Sequence, residues 1–132
     1  MTDAGKFVAF AQSLKGDEKQ EAQTFLNHFF QVFGYDDVFT AGGLFEARIK
    51  PSDASTKYAD CLFAPQGHSG VLIEMKGRKE KFLDKHFDQV KNYWLDMKPQ
   101  EVIGPGAQKP RYAIPCNFDE FIIYDELSLV DR

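Results

Sequence analysis

The chain has 132 residues, of which 43% are hydrophobic, and a formal net charge of −4. The length suits one compact domain, and the apolar fraction is too high for a disordered chain. The acidic balance argues against a stand-alone nucleic-acid-binding protein, because such proteins are usually basic. The apolar runs are too short to span a membrane, and the N-terminal residues lack a signal-peptide pattern. We therefore expect a cytoplasmic protein without a membrane partner.

The first quarter of the chain predicts two helices. Apolar residues follow helical spacing across residues 7–14, and Gly16 ends this helix. Asp17 can cap the second helix, whose apolar stripe covers residues 22–33. The width of that stripe indicates a core-facing helix.

Three strand-like stretches follow, at residues 43–50, 58–64 and 70–76. Strict alternation along the first strand would put Leu44 and Glu46 on one face and Ala47 on the other. The turn between the second and third strands is short enough for an antiparallel pair.

The second half of the chain predicts a helix and two further strands. Residues 82–98 have the spacing of a helix, and residues 98–110 form a loop rich in Pro and Gly. Residues 111–116 predict a fourth strand, and residues 117–125 a turn and a fifth. The element order predicts an α/β (α+β) domain, a mixed sheet with helices on its faces.

The two cysteines, Cys61 and Cys116, lie in apolar, strand-like stretches, which favours buried and reduced thiols. The three histidines are scattered along the chain. No Cys/His spacing in the sequence matches a zinc site.

Charged residues interrupt the two middle strands. Asp60 lies in the first of them, and Glu74 and Lys76 lie at the end of the second. In an antiparallel pair Asp60 faces Glu74, and the two carboxylates repel each other unless a divalent cation lies between them. Mg²⁺ prefers carboxylate oxygens and water, and a nearby lysine can offset charge on a phosphorane. The pattern therefore suits metal-dependent phosphodiester hydrolysis.

A solvated ion pair on an edge strand would give the same Glu-x-Lys tripeptide. Residues 71–73, which precede Glu74, are all apolar, and this is typical of a central strand covered on both faces. Charges at the end of a central strand are costly unless they serve a function. The context therefore favours a functional site.

Four stretches carry a more specific pattern: EAQTFLNHFFQVFG, YADCLF with GVLIEMKGR, HFDQVKNYW, and PRYAIPCNFDEFIIYD. Together they resemble the PD-(D/E)XK nuclease superfamily. More narrowly, they resemble the N-terminal endonuclease domain of type IIG/IIL restriction–modification enzymes, in which one polypeptide carries nuclease, adenine methyltransferase and target-recognition parts. The resemblance implies a restriction-endonuclease-like core, double-stranded DNA as substrate, and Mg²⁺ as cofactor, with Mn²⁺ able to replace it.

The resemblance also implies roles for particular residues. Asp60, Glu74 and Lys76 correspond to the metal-binding and catalytic set, with Asp60 and Glu74 as metal ligands. Ala59 stands where the superfamily name has proline, a substitution that leaves the chemistry intact.

Two helical positions extend this set. Glu21 in the second helix matches an accessory carboxylate that binds metal, and Gln89 matches a glutamine counted with the catalytic residues. An ordinary helix acid and a solvated glutamine would fit these positions equally well. Tyr93, one turn after Gln89, either reaches a phosphate or packs in the core.

The stretch GRKEKFLDK, directly after the catalytic strand, is the most basic part of the chain. It predicts DNA phosphate contacts by Arg78, Lys79, Lys81 and Lys85. A solvated charge run has the same composition, and no interleaved aromatic platform for stacking bases is evident.

Three functions fit these patterns. The first is a metal-dependent endodeoxyribonuclease domain. The second is a catalytically silent interaction or scaffold domain of a DNA methyltransferase or phage-defence protein, against which the complete Asp60, Glu74 and Lys76 set argues. The third is a repair or recombination nuclease of the same superfamily, against which the restriction-enzyme-like pattern of residues 110–125 argues.

No methyltransferase motif occurs in the sequence. We therefore expect residues 1–132 to be a single domain, the N-terminal part of a longer protein with covalently linked methyltransferase and target-recognition domains. With 16 basic and 20 acidic residues, we expect the isolated domain to bind and cut DNA weakly. The sequence leaves open the recognition site, the cut position and an oligomer on DNA.

Overall fold

The fold is a five-stranded mixed sheet with helices on both faces, in a computed structural model that describes residues 2–49, 57–65 and 69–131. In chain order the elements are α1 (Asp3–Ser13), α2 (Glu18–Val32), β1 (Leu44–Arg48), β2 (Tyr58–Phe63), β3 (Val71–Met75), a 3₁₀ turn (Leu83–His86), α3 (Phe87–Asp96), α4 (Pro99–Val102), β4 (Tyr112–Cys116), β5 (Tyr124–Asp125) and α5 (Glu126–Asp131). The predicted α/β class is confirmed. Within the described ranges, every helix is too short or too polar to cross a membrane.

The strands lie side by side in the order β1-β2-β3-β4-β5. All neighbouring pairs are antiparallel except β3 and β4, which run parallel because the segment containing α3 and α4 connects them. The antiparallel pairing of the two middle strands is confirmed, and β3 is the central strand.

Two apolar clusters cover the two faces of the sheet. On one face α1 contributes Ala11, and α2 contributes Phe25 and Leu26, to a cluster that includes Ile73 of β3. On the other face α3 packs Trp94 against Leu72. Alternate residues of β3 therefore enter opposite cores, as its continuous apolar run predicts.

The expected alternation is broken at one level of β1 and β2. Leu44 and Ala47 both pack in the cluster around α3, and so do Ala59 and Leu62 on the neighbouring strand, although each pair is three residues apart. The register of the two strands is the same on both sides of this point. Glu46 has a φ of 49°, which side-chain-bearing residues rarely adopt. At this point the side chains of both strands switch to the opposite face of the sheet, and neither strand contains an inserted residue.

Three short elements differ from the prediction. The helix predicted over 82–98 begins as a 3₁₀ turn, and α3 ends at Asp96 because Met97 is extended, shortly before Pro99. The predicted loop contains the single helical turn α4, whose first residue is Pro99, a favoured position for proline. The sequence pattern also missed α5, which packs Leu129 into the core around α3.

The turn between α1 and α2 is tightly packed around Gly16. Its φ is +87°, and a Cβ atom built there would overlap the Cβ of Arg78. Gly34 has a similar φ of +93° with no atom within 4 Å of a built Cβ. We expect Gly34→Ala to cost about 1–2 kcal/mol of unfolding free energy through backbone strain, and Gly16→Ala to cost at least about 1 kcal/mol more through overpacking. Urea unfolding of both variants measures the difference. Equal losses of unfolding free energy would contradict the tight packing of Gly16 against Arg78.

Candidate active site

Asp60 and Glu74 face each other where β2 and β3 stop pairing. The last paired residues of these strands are Cys61 and Ile73. Beyond this pair the Asp60 N–H donates to Glu74 Oε1 at 3.0 Å, and the Met75 N–H donates to Asp60 Oδ2 at 2.6 Å. The two carboxylates thus take the place of backbone acceptors, which fixes them in the gap between the strands.

Burial and mutual repulsion make this pair of carboxylates hard to ionise. Glu74 is only 5% exposed, and burial, followed by the neighbouring Asp60, raises its pKa to about 8. Burial also raises the pKa of Asp60, and the charges of Glu18 and Glu46 act in the same direction. The hydrogen bond from the Met75 N–H and the charge of Lys76 oppose that rise. Both carboxyls therefore favour the protonated form, and a nearby positive charge would favour the ionised form.

Lys76 joins the carboxylates to α3. Its N–H donates to the Cys116 carbonyl at 2.7 Å, which continues the pairing of β3 with β4 by one residue. Its Nζ donates to Gln89 Oε1 at 2.7 Å, and Gln89 Nε2 donates to the Tyr93 hydroxyl at 3.4 Å. Because Gln89 and Tyr93 are one turn apart on α3, the helix holds the ammonium group from one side. The structure thus brings Gln89 together with Lys76 at the end of β3.

A cavity of 360 Å³ opens beside Asp60 on the side of α2. It is lined by two further carboxylates, Glu18 and Glu46, together with Lys19 and Gln23. Sequence reasoning missed both acids. Glu18 begins α2 one turn before Glu21, and Glu46 lies at the backbone irregularity of β1.

The structure places Glu21 elsewhere than the sequence predicted. Its carboxylate accepts hydrogen bonds from the N–H groups of Lys15 at 3.1 Å, Gly16 at 2.8 Å and Asp17 at 2.8 Å. These bonds, that of Asp17 foremost, lower the pKa of Glu21. Glu21 holds the turn between the first two helices, whereas Glu18 faces the cavity, and the metal-binding role of Glu21 stays a prediction.

Arg78 is likewise occupied within the protein. Its guanidinium donates to the carbonyls of Ala11, at 2.7 Å, and Leu14 at the end of α1. Its Nε donates to Asp119 at 3.1 Å, and the group lies 5.7 Å from the centre of the Phe118 ring. Arg78 thus ties α1 to the loop after β4, and its phosphate contact stays a prediction.

The three lysines of the same stretch lie at the surface. Lys85 is 60% exposed and pairs with Glu80 at 3.1 Å. Lys79 and Lys81 are exposed, and among the residues that the structure describes neither forms an ion pair. These two lysines remain predicted phosphate contacts.

The whole chain matches one protein family. Residues 2–132 match the family described as the N-terminal domain of MmeI. The chain belongs to this MmeI N-terminal domain family. It is a family of restriction–modification enzyme domains, so this part of the sequence resemblance is confirmed. No curated protein and no solved structure matches the chain.

The raised pKa of Glu74 predicts that this MmeI-type domain is less stable at high pH. The pKa of Glu74 is about 8 in the folded protein and 4.5 in the unfolded chain, so below pH 4.5 the group is protonated in both states and does not lower the unfolding free energy. That stability is lost as the pH rises through the folded value, because only the unfolded state ionises freely. We therefore expect Glu74→Gln, measured with chelator present, to raise the unfolding free energy by at least about 1 kcal/mol at pH 8 and by less at pH 5.

The matched control is Glu101→Gln, on the exposed side of α4, which should change stability by less than about 0.5 kcal/mol at either pH. Chemical denaturation at the two pH values measures both variants. A Glu74→Gln protein that is less stable than the parent at pH 8 would contradict the electrostatic strain.

Proposed function

We propose that this domain is a Mg²⁺-dependent endonuclease that hydrolyses phosphodiester bonds of double-stranded DNA within a restriction–modification enzyme. Membership of the PD-(D/E)XK superfamily is part of the proposal. The observation that carries it is the convergence of Asp60, Glu74, Lys76 and Gln89 at the point where β2 and β3 part. Cation ligands beside a fixed ammonium group suit metal-dependent phosphodiester hydrolysis.

The two carboxylates fit a magnesium ion. Asp60 Oδ2 and Glu74 Oε1 accept backbone hydrogen bonds, and their second oxygens accept none of those seen among the described residues. Across the described residues no three His, Cys, Asp or Glu side chains form a ready metal cage. Mg²⁺ is suited to such a site, because it binds through one or two carboxylates and keeps several waters. When bound, it would polarise a phosphoryl oxygen and lower the pKa of a coordinated water.

Lys76 supplies the positive charge that the reaction requires from the protein itself. Its charge lowers the pKa of both neighbouring carboxylates, which shows that it acts on the same small volume. The hydrogen bond to Gln89 fixes the ammonium group before substrate binds. A fixed charge stabilises the extra negative charge of the phosphorane without reorganisation. We assign Gln89 the role of holding Lys76, and Glu18 that of a second negative charge in the cavity beside Asp60.

A catalytically silent scaffold domain is the second candidate. In such a domain, neutral acceptors would satisfy the same N–H groups without the cost of burying two acids. The structure retains this costly pair and adds a fixed lysine beside it. These features favour catalysis over a scaffold role.

The proposal predicts separate effects on cutting and methylation in the full-length protein that carries this domain. Glu74→Ala and Lys76→Ala should each lower the rate of DNA cleavage by about a hundredfold or more, because each removes a group that acts on the transition state. Methylation should be unchanged. Glu101→Ala, an exposed position on α4, should retain full cleavage.

Single-turnover cleavage of a plasmid and methyl transfer to the same plasmid measure the two activities. Cleavage at the parent rate by Glu74→Ala would contradict the proposal. Loss of methylation together with cleavage would show that the variant is misfolded, and melting curves recorded in parallel identify that case.

A further inference from the structure

The loop after β3, residues 77–82, is held rigidly by its inward-facing side chains. One anchor is Arg78, whose guanidinium ties the loop to α1. The other is Glu80, whose carboxylate accepts the Phe82 N–H at 3.1 Å and lies 2.9 Å from Nε2 of His86. The Glu80 carbonyl also accepts a hydrogen bond from Asn117 Nδ2 at 2.6 Å. The β3 loop is thus ordered by contacts to the 3₁₀ turn and to the segment after β4.

The outward-facing side chains of the β3 loop are Lys79, Lys81 and Phe82. The Phe82 ring is 69% exposed, although it stands in a loop with fixed backbone contacts. The loop begins directly after Lys76, which places this ring and the two lysines on the segment that leaves the candidate active site. An ordered loop loses little conformational entropy when a partner binds it.

The charge around the ring selects the chemistry of that partner. Lys79 and Lys81 flank the ring, are exposed and form no ion pair among the described residues, in a chain whose net charge is −4. A polyanion therefore complements this segment, whereas the rest of the domain repels it. A partner that also covers an aromatic ring must present an apolar surface between its charges. DNA does so, because sugars and base edges lie between its phosphates.

We propose that Phe82 packs against the sugar and base edges of duplex DNA beside the phosphate that is cut, while Lys79 and Lys81 contact flanking phosphates. This inference rests on the proposed function and adds an apolar contact to it. The ring fixes the position of the DNA strand relative to the site, whereas the lysines supply attraction that is independent of position. Phe82 is thus a positioning residue for the substrate.

The first test is photo-crosslinking with the full-length protein carrying Glu74→Ala, so that the DNA stays intact. Duplexes carry 5-iododeoxyuridine at successive positions around the phosphate that the parent protein cuts. We expect a crosslink to Phe82 at positions next to that phosphate, with its loss in Phe82→Ala. Phe39→Ala is the matched control, because Phe39 is 78% exposed and precedes β1 at the opposite end of the sheet. No crosslink at Phe82, or an equal one in Phe82→Ala, would overturn the inference.

The second test separates apolar contact from charge by measuring DNA affinity across salt concentrations. Phe82→Ala should weaken binding about tenfold with an unchanged salt slope, and Phe82→Trp should retain affinity. The double variant Lys79→Ala/Lys81→Ala should reduce the slope by about two. Unchanged affinity in Phe82→Ala overturns the inference, and a lowered melting temperature in that case would show that the ring docks on another part of the protein.

The affinity test needs no cleavage, so the two proposals fail separately. A parent protein that does not cut DNA but loses affinity in Phe82→Ala contradicts only the proposed nuclease function. A parent protein that cuts normally without the crosslink contradicts only the role of Phe82.

Discussion

The structure depends on two carboxylates that replace backbone acceptors between its central strands. Where β2 and β3 part, Asp60 and Glu74 accept N–H groups that a continuing ladder would have satisfied. This exchange keeps the buried donors satisfied but leaves two acids side by side at the end of the central strand. Burial raises the pKa of both carboxyls, Asp60 raises that of Glu74 further, and a divalent cation would relieve that cost. The carboxylates that satisfy the backbone N–H groups between β2 and β3 are therefore the same groups that the proposed chemistry uses.

Much of the surrounding charge has a structural task that supports this arrangement. Arg78 and Glu21 both act on the region where α1 meets α2, one through carbonyls and the other through N–H groups. Together with the tightly packed Gly16 they fix how α2 lies on the sheet, and hence where Glu18 stands relative to Asp60. The charges left for a partner are those directed away from the core, above all Lys79 and Lys81.

The positions predicted from the sequence are those set by local pattern and strand register. The apolar run before Glu74 indicates a central strand, and a short antiparallel connection brings Asp60 opposite it. Gln89 was named from the family resemblance, and its contact with Lys76 depends on how α3 packs. Glu18 and Glu21 lie one helical turn apart, and only the turn between the helices decides which of the two acids faces the sheet. The contacts of Arg78 join segments that are far apart in the sequence. Its assignment to DNA came from the basic composition of the stretch, and no local sequence pattern could reveal these contacts.

The measurement that tests the central claim most directly is anomalous diffraction from crystals of the domain soaked with Mn²⁺. If Asp60 and Glu74 form a cation site, an anomalous peak should lie about 2.0–2.3 Å from an oxygen of each carboxylate, with waters completing the coordination. The peak should disappear in Glu74→Gln crystals, in which the acceptor for the Asp60 N–H is retained. Absence of density between the two carboxylates at saturating Mn²⁺, or a peak unchanged in Glu74→Gln, would contradict the account.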